Sequence, residues 1–207
     1  VAFKAFDNKQ YEKIVLARKT ELEFNKKLKP LEILEKLKKK TSNSYHFCFQ
    51  VDNDLVFIGA SPERLYFRQG NNLYSEAVAG TRPRGISIKA DEDLGRELLN
   101  NEKEIREHRY VIDSIRDACV KLSNNSIDTE SLPVNLLKLA RIQHLVSLIN
   151  IKLKKGITDN DLIDALHPTA AVGGYPKDSV MDEISRLEQF DRGWYAAPVG
   201  WIGQDSA

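Results

Sequence analysis

Four short apolar runs between Tyr45 and Gly80 constrain this chain most: YHFCFQV, DLVFIG, RLYFRQ and NLYSEAVAG, each rich in aromatic and β-branched residues. The pairs Asp52-Asn53 and Gly70-Asn71 separate them in the manner of hairpin turns, so the spacing predicts an antiparallel meander. From Asp91 to about Asn124 the period changes, and Leu94, Leu98, Ile105, Val111, Ile112, Ile115 and Val120 recur as the buried faces of one or two helices. Sheet and helix in separate blocks argue for an α+β fold rather than a βαβ alternation. The remaining segments fit that reading. KIVLARKTELEF (Lys13 to Phe24) and IQHLVSLINIKLKKG read as strands, as does the closing GWYAAPVGWIG; PLEILEKLKKKT, DNDLIDAL and SVMDEISRLEQF read as helices.

Length and charge narrow the function. A chain of 207 residues without a Gly/Ser/Pro-rich linker suits one domain with a sizeable core, read here as residues 1–207. A net charge of +1 removes the general argument for a nucleic-acid surface, and no apolar run approaches membrane-spanning length. Cys48 and Cys119 lie far apart and outside any CxxC pair, which suits core thiols of a reducing compartment. The opening VAFKAFDNKQ lacks a signal-peptide profile, so the expected location is the cytosol.

Several places could carry chemistry. In SEAVAGTRPRG, small residues around Gly80 permit close approach of backbone N–H groups, while the Thr81 hydroxyl and two guanidiniums suggest a negatively charged neighbour. The same letters also describe a strand end and a Pro-stiffened turn with solvated arginines. Lys13, directly before IVLAR, places an amine at the edge of an apolar surface, where desolvation would lower its pKa. Glu63 in GASPERLYF enters a strand; alone, it reads equally as an exposed acid beside an arginine. In NEKEIREHRYVID, Glu104 and Glu107 share a helix face, as hard oxygen ligands for Mg²⁺ or as a solvated charged face. EIREH lacks the first histidine of the HExxH zinc motif, and the glycines of LHPTAAVGGYP lack the Gly-Lys-Ser/Thr ending of a P-loop. His144 in IQHLVS, taken alone, reads as a core histidine.

Seven segments in order, KIVLAR, GASPERL, SEAVAGTRPRG, KEIREHRYVID, IQHLVS, LHPTAAVGGYP and GWYAAPVGW, resemble the catalytic domain of the chorismate-binding enzymes over nearly the whole chain. The family includes anthranilate, aminodeoxychorismate, salicylate and isochorismate synthases. The resemblance implies antiparallel sheets packed together and flanked by helices, with chorismate bound between them and Mg²⁺ as cofactor. It implies Lys13 as general base and Glu63 as general acid, Glu107 as metal ligand, and Glu104 as ligand or water-mediated contact. Ala79, Gly80, Thr81, His144, Thr169 and Tyr195 are implied to lie against the substrate.

A lysine at position 13 matches members that use water as nucleophile. Ala79 stands where aminodeoxychorismate synthases tend to carry a lysine. Both favour isochorismate synthase, with salicylate synthase or a non-catalytic binding module as alternatives. Family chains also continue past GWYAAPVGWIG into a strand with a second metal-binding glutamate and a carboxylate-binding arginine, so the fold is expected to be incomplete at its C-terminus.

Overall fold

The computed structural model describes residues 11–124, 126–204 and 206–207. The stretch VAFKAFDNKQ, read above for a leader profile, lies outside the described residues. In chain order the elements are β1 Lys13–Ile14, α1 Pro30–Lys40, β2 Tyr45–Gln50, β3 Val56–Ser61, β4 Phe67–Gln69, β5 Asn72–Pro83, α2 Ile88–Asn100, α3 Glu102–Cys119, β6 Asn135–Lys138, β7 Ile142–Lys152, α4 Asp159–Leu166, β8 Gly174–Tyr175 and α5 Lys177–Glu188.

The α+β architecture holds, and every sheet is antiparallel. The apolar runs form two separate hairpins, however, and not one meander. β2 pairs with β3, whereas β4 joins a four-stranded sheet in the order β4-β5-β7-β6. Pro62, just past β3, has no N–H to continue the ladder, and the chain crosses from one sheet to the other between Ser61 and Phe67. Gly70 takes φ +57° between the paired residues Gln69 and Asn72, the positive φ that a tight hairpin turn needs at its first central position.

The β5–β7 ladder is the longest in the molecule. Alternation along β7 sends Gln143, Leu145, Ser147, Ile149 and Ile151 to one buried face, with His144, Leu148 and Asn150 on the other. α3 covers the first face with His108, Val111, Ile112, Ile115 and Cys119, a stripe at helical spacing. Leu73, Ala77, Leu162 and Leu166 complete this core. Helix starts are fixed locally: Ser87 accepts from the Ala90 amide, Asn101 from Glu104, and Thr158 forms a capping box with Asp161.

Two further expectations need correction, and one strand was not expected. The strand expected from Lys13 to Phe24 is only two residues long, and beyond it Leu16, Leu22 and Phe24 are exposed. The closing GWYAAPVGWIG forms turns and irregular backbone with Trp194 and Trp201 exposed. β6 is an unpredicted strand, too short to show a period of its own and held by pairing with β7. No helix among the described residues is long and apolar enough to cross a membrane.

β1 survives at two residues because β8 receives it closely. Lys13 pairs with Tyr175 and Ile14 with Gly174, and a Cβ on Gly174 would lie 2.3 Å from the Lys13 carbonyl oxygen. Gly174→Ala should therefore dislodge β1, and because the same Cβ would lie 2.6 Å from Val180 Cγ1 it should also press on the start of α5. Hydrogen exchange should accelerate at the Glu12 and Val15 amides, which donate to Tyr175 and Gly173, while the β5–β7 amides keep their protection. Unchanged exchange at Glu12 and Val15 would contradict this account of β1.

Candidate functional site

Lys13, at the start of β1, donates from Nζ to the carbonyl oxygen of Ala170 in the LHPTAAVGGYP loop. That loop is held by bonds from the Val172 and Gly173 amides to the Thr169 carbonyl, and Thr169 itself is buried. Burial lowers the Lys13 pKa below its ordinary value, partly offset by the negative charges of Glu107 and Glu63. Glu63 shows the opposite effect. Burial pushes its carboxyl up to about 7; Lys13 pulls it down, and Glu76 raises it further. A base made easier to deprotonate is thus coupled electrostatically to an acid made harder to ionise, the pattern of a paired acid and base.

Gly80 organises the second half of the site. The β5–β7 register shifts between Ala79 and Thr81, leaving Gly80 as the unpaired residue of a bulge with φ +78°. Ala79 pairs with Leu145 on the helix-covered face, whereas Thr81, after the bulge, pairs with His144 on the other face. His144 Nδ1 lies 3.2 Å from the Gly80 carbonyl oxygen and 2.9 Å from Thr81 Oγ1. A carbonyl can only accept, so Nδ1 carries the hydrogen and Nε2 is left as an acceptor. Burial lowers the His144 pKa, and neutral His144 suits a hydroxyl partner better than a carboxylate.

The two guanidiniums of TRPRG face negative charge, but it is the protein's own. Arg82 lies on the helix face and reaches Glu104 at 2.8 Å and Glu97 at 3.1 Å. Arg84 holds Asp91 through Nε at 2.6 Å and Nη2 at 3.0 Å, and Lys138 reaches the same carboxylate at 2.8 Å. The Asp91 carboxyl is held far below the usual carboxylate range by these bonds. This brace stiffens the far end of the loop.

Glu104 and Glu107 occupy the first turns of α3, where the inward stripe of apolar residues gives way to carboxylates. Glu104 is committed: besides Arg82, its Oε2 accepts from the Thr81 amide at 3.3 Å. Glu107 is more open, with a 3.5 Å ion pair to Lys103. Among the described residues no group of three or more His, Cys, Asp or Glu gathers as a ready metal cage. The donors present fit Mg²⁺ held through one carboxylate, Glu107, because Mg²⁺ commonly takes one or two carboxylates and fills its sphere with water and substrate oxygens.

Most predicted residues therefore fall into two groups: Lys13, Glu63 and Glu107, with Lys13 bonded to the loop of Thr169 through the Ala170 carbonyl, and Gly80, Thr81, His144 and Glu104. Tyr195 is exposed in the turn after α5, its amide bonded to the Arg192 carbonyl. Sequence reasoning missed Glu76, whose Oε2 accepts from the Arg64 amide at 3.3 Å beside Glu63. It also missed His108 in the site. Ser147 Oγ donates to the Pro133 carbonyl and so takes the His108 Nε2 hydrogen at 3.0 Å, leaving the buried Nδ1 without a hydrogen-bond partner. Burial and the Lys13 charge bring the His108 pKa down to about 4. A cavity of about 280 Å³ lies on the open sheet face by Arg64, Tyr74, Glu76 and Leu148, and none of the predicted site residues lines it.

Comparison with known proteins identifies the family. The family model described as chorismate binding enzyme matches residues 1–207. The chain belongs to the chorismate-binding enzymes. It is 40% identical over 194 residues to isochorismate synthase MenF of Bacillus subtilis, covering 94% of this chain and 41% of that protein. It is 38% identical to the salicylate biosynthesis isochorismate synthase of Pseudomonas aeruginosa, covering 93% of this chain and 40% of the other. The solved structure of MenF, the menaquinone-specific isochorismate synthase of Escherichia coli, superposes with a TM-score of 0.92 at 32% identity, covering 99% of this chain and 47% of that one. The chain spans less than half the length of these relatives.

A buried acid with a raised pKa is costly to the fold. Glu63, ordinary in the unfolded chain at 4.5 and raised to about 7 when folded, contributes stability that is fully present below 4.5 and lost as pH rises through 7. Glu63→Gln should therefore be more stable than the parent at pH 8, by up to ~3 kcal/mol, and indistinguishable from it at pH 4. Thermal unfolding at the two pH values checks this. A variant no more stable at pH 8 would show that folding does not raise the Glu63 pKa.

Proposed function

We propose that this chain carries the catalytic centre of an isochorismate synthase, which converts chorismate to isochorismate by adding water at C2 with loss of the C4 hydroxyl. What carries the reading is the electrostatic coupling of Lys13 and Glu63, with burial shifting their pKa values in opposite directions and Lys13 anchored to the Ala170 loop. The names of the relatives support the product. Ala79, directly before the Gly80 bulge, offers no amine to compete with water.

In this mechanism neutral Lys13 takes a proton from water as the water oxygen bonds to C2. The ring double bonds shift and the C4–O bond breaks. Protonated Glu63 delivers its proton to the departing hydroxyl, which leaves as water. One water enters and one leaves, so the product is an isomer of the substrate. Lys13 ends protonated and Glu63 ionised, and exchange with solvent restores both.

The remaining residues bind and orient. Gly80 and Thr81 bring backbone N–H and a hydroxyl against the ring, with Ala79 small enough to allow the approach. His144, Thr169 and Tyr195 hold the polar substituents. Mg²⁺ would be held by Glu107, with Glu104 in contact through water, and when bound would supply positive charge for the ring carboxylate.

Product analysis of the full-length protein with chorismate and Mg²⁺ tests the proposal. Isochorismate without pyruvate is expected, with Lys13→Ala or Glu63→Gln reducing turnover by about 10²–10⁴ while the fold is retained. Salicylate with pyruvate would overturn the product assignment. Absent turnover in a folded protein, or near-normal turnover by Lys13→Ala, would overturn the mechanism.

A further inference from the structure

Lys13 stands on a strand of two residues, too short a ladder to hold a partly buried amine in a fixed place. A second device supports it. Arg192, four residues past the end of α5, donates from Nη2 to the Val15 carbonyl at 2.9 Å and from Nη1 to the Val172 carbonyl at 2.8 Å. Its Nε bonds to Glu188 Oε2 at 2.8 Å, and its Nη2 also reaches Glu188 Oε1. Glu188 accepts the Ala17 amide at 2.7 Å and is almost wholly buried, with 2% of its side chain exposed. A charge buried so deeply persists because it is paired and fully hydrogen-bonded.

The positions of these bonds give the pair its meaning. Val15 lies two residues beyond Lys13, and Val172 lies two residues beyond Ala170, whose carbonyl receives the Lys13 amine. Arg192 also accepts the Tyr195 amide on its own carbonyl at 2.9 Å. One planar guanidinium thus spans the strand that carries Lys13 and the loop that Lys13 touches, and its backbone holds the turn of Tyr195.

We infer that Arg192, locked by Glu188, is a positioning residue for Lys13, its rigid fork fixing the amine's strand and the receiving loop at one separation. This deepens the reading of Lys13 as the general base and rests on it. The fork is the essential feature. A lysine at position 192 keeps the positive charge but presents one compact ammonium, which cannot reach two carbonyls and both carboxylate oxygens together. Because burial is the chief cause of the lowered Lys13 basicity, a loosened strand would let water reach the amine and restore it towards the ordinary lysine value.

The test is competitive acetylation of the full-length protein across pH 7 to 11, with Lys13 read by peptide mass spectrometry beside an exposed lysine. In Arg192→Lys the labelling midpoint of Lys13 should rise by about one pH unit, slowing its labelling below the midpoint by about tenfold. Glu188→Gln should move it the same way by less. Asp91→Asn, which cuts the brace beyond β5 in a different sheet, should leave it in place. In turnover, Arg192→Lys should lower kcat with little change in KM. A Lys13 profile unmoved in both Arg192→Lys and Glu188→Gln, or an equal shift in Asp91→Asn, would overturn the inference. Full turnover by Lys13→Ala with the labelling shift intact would instead overturn the role of Lys13 as base and leave the positioning established.

Discussion

The β5–β7 ladder, interrupted once at Gly80, is the constraint on which the rest depends. Up to Ala79 the two strands keep one register, and alternation delivers Leu73, Ala77, Ile149 and Ile151 to the helices. One extra residue then reverses the side-chain parity of β5. Arg82 turns to the carboxylates of α2 and α3, and Thr81 turns to His144. Without the bulge these two residues would exchange faces, and a guanidinium would stand where the hydroxyl now stands. Gly80 suits the task because its φ of +78° is costly for any residue with a Cβ, and a Cβ there would press on Leu145 and Glu104 at 3.2–3.3 Å.

The second organising feature is a concentration of ionisable groups where water is scarce. Lys13, Glu63, Glu76, Glu107 and His108 influence one another across three separate parts of the chain. An apolar core of the same shape would be more stable. Retaining a protonatable acid and a weakened ammonium there makes sense for a site that moves protons, and the surrounding fold compensates through the large sheet-and-helix core and through braces such as Arg84–Asp91.

Much of the fold was legible because local signals agreed with tertiary demand. The two hairpins carried their turn residues, α3 carried its apolar stripe, and α4 carried its capping box. Errors arose where neighbours decided. Leu16, Leu22 and Phe24 alternate like a strand yet find no partner, whereas the four residues of β6 show almost no pattern and become a strand through β7. The site was less legible. Glu63 in its own context reads as an exposed acid; burial raises its pKa, and the charges it senses, Lys13 and Glu76, lie fifty and thirteen residues away, so only the ordered resemblance to a family pointed to it. Glu188 and Arg192 show in the sequence only the i,i+4 spacing of an ordinary acid-base pair, and their further partners are backbone carbonyls and an amide contributed by distant segments.

The central claim is that water, activated by Lys13, supplies the new oxygen at C2. Incubating the full-length protein with chorismate and Mg²⁺ in ¹⁸O-labelled water, then locating the label by mass spectrometry, tests this directly. The account predicts isochorismate carrying one ¹⁸O, at the C2 hydroxyl. Isochorismate without label would mean that the hydroxyl migrates within the substrate, and would contradict a mechanism built on Lys13 and Glu63.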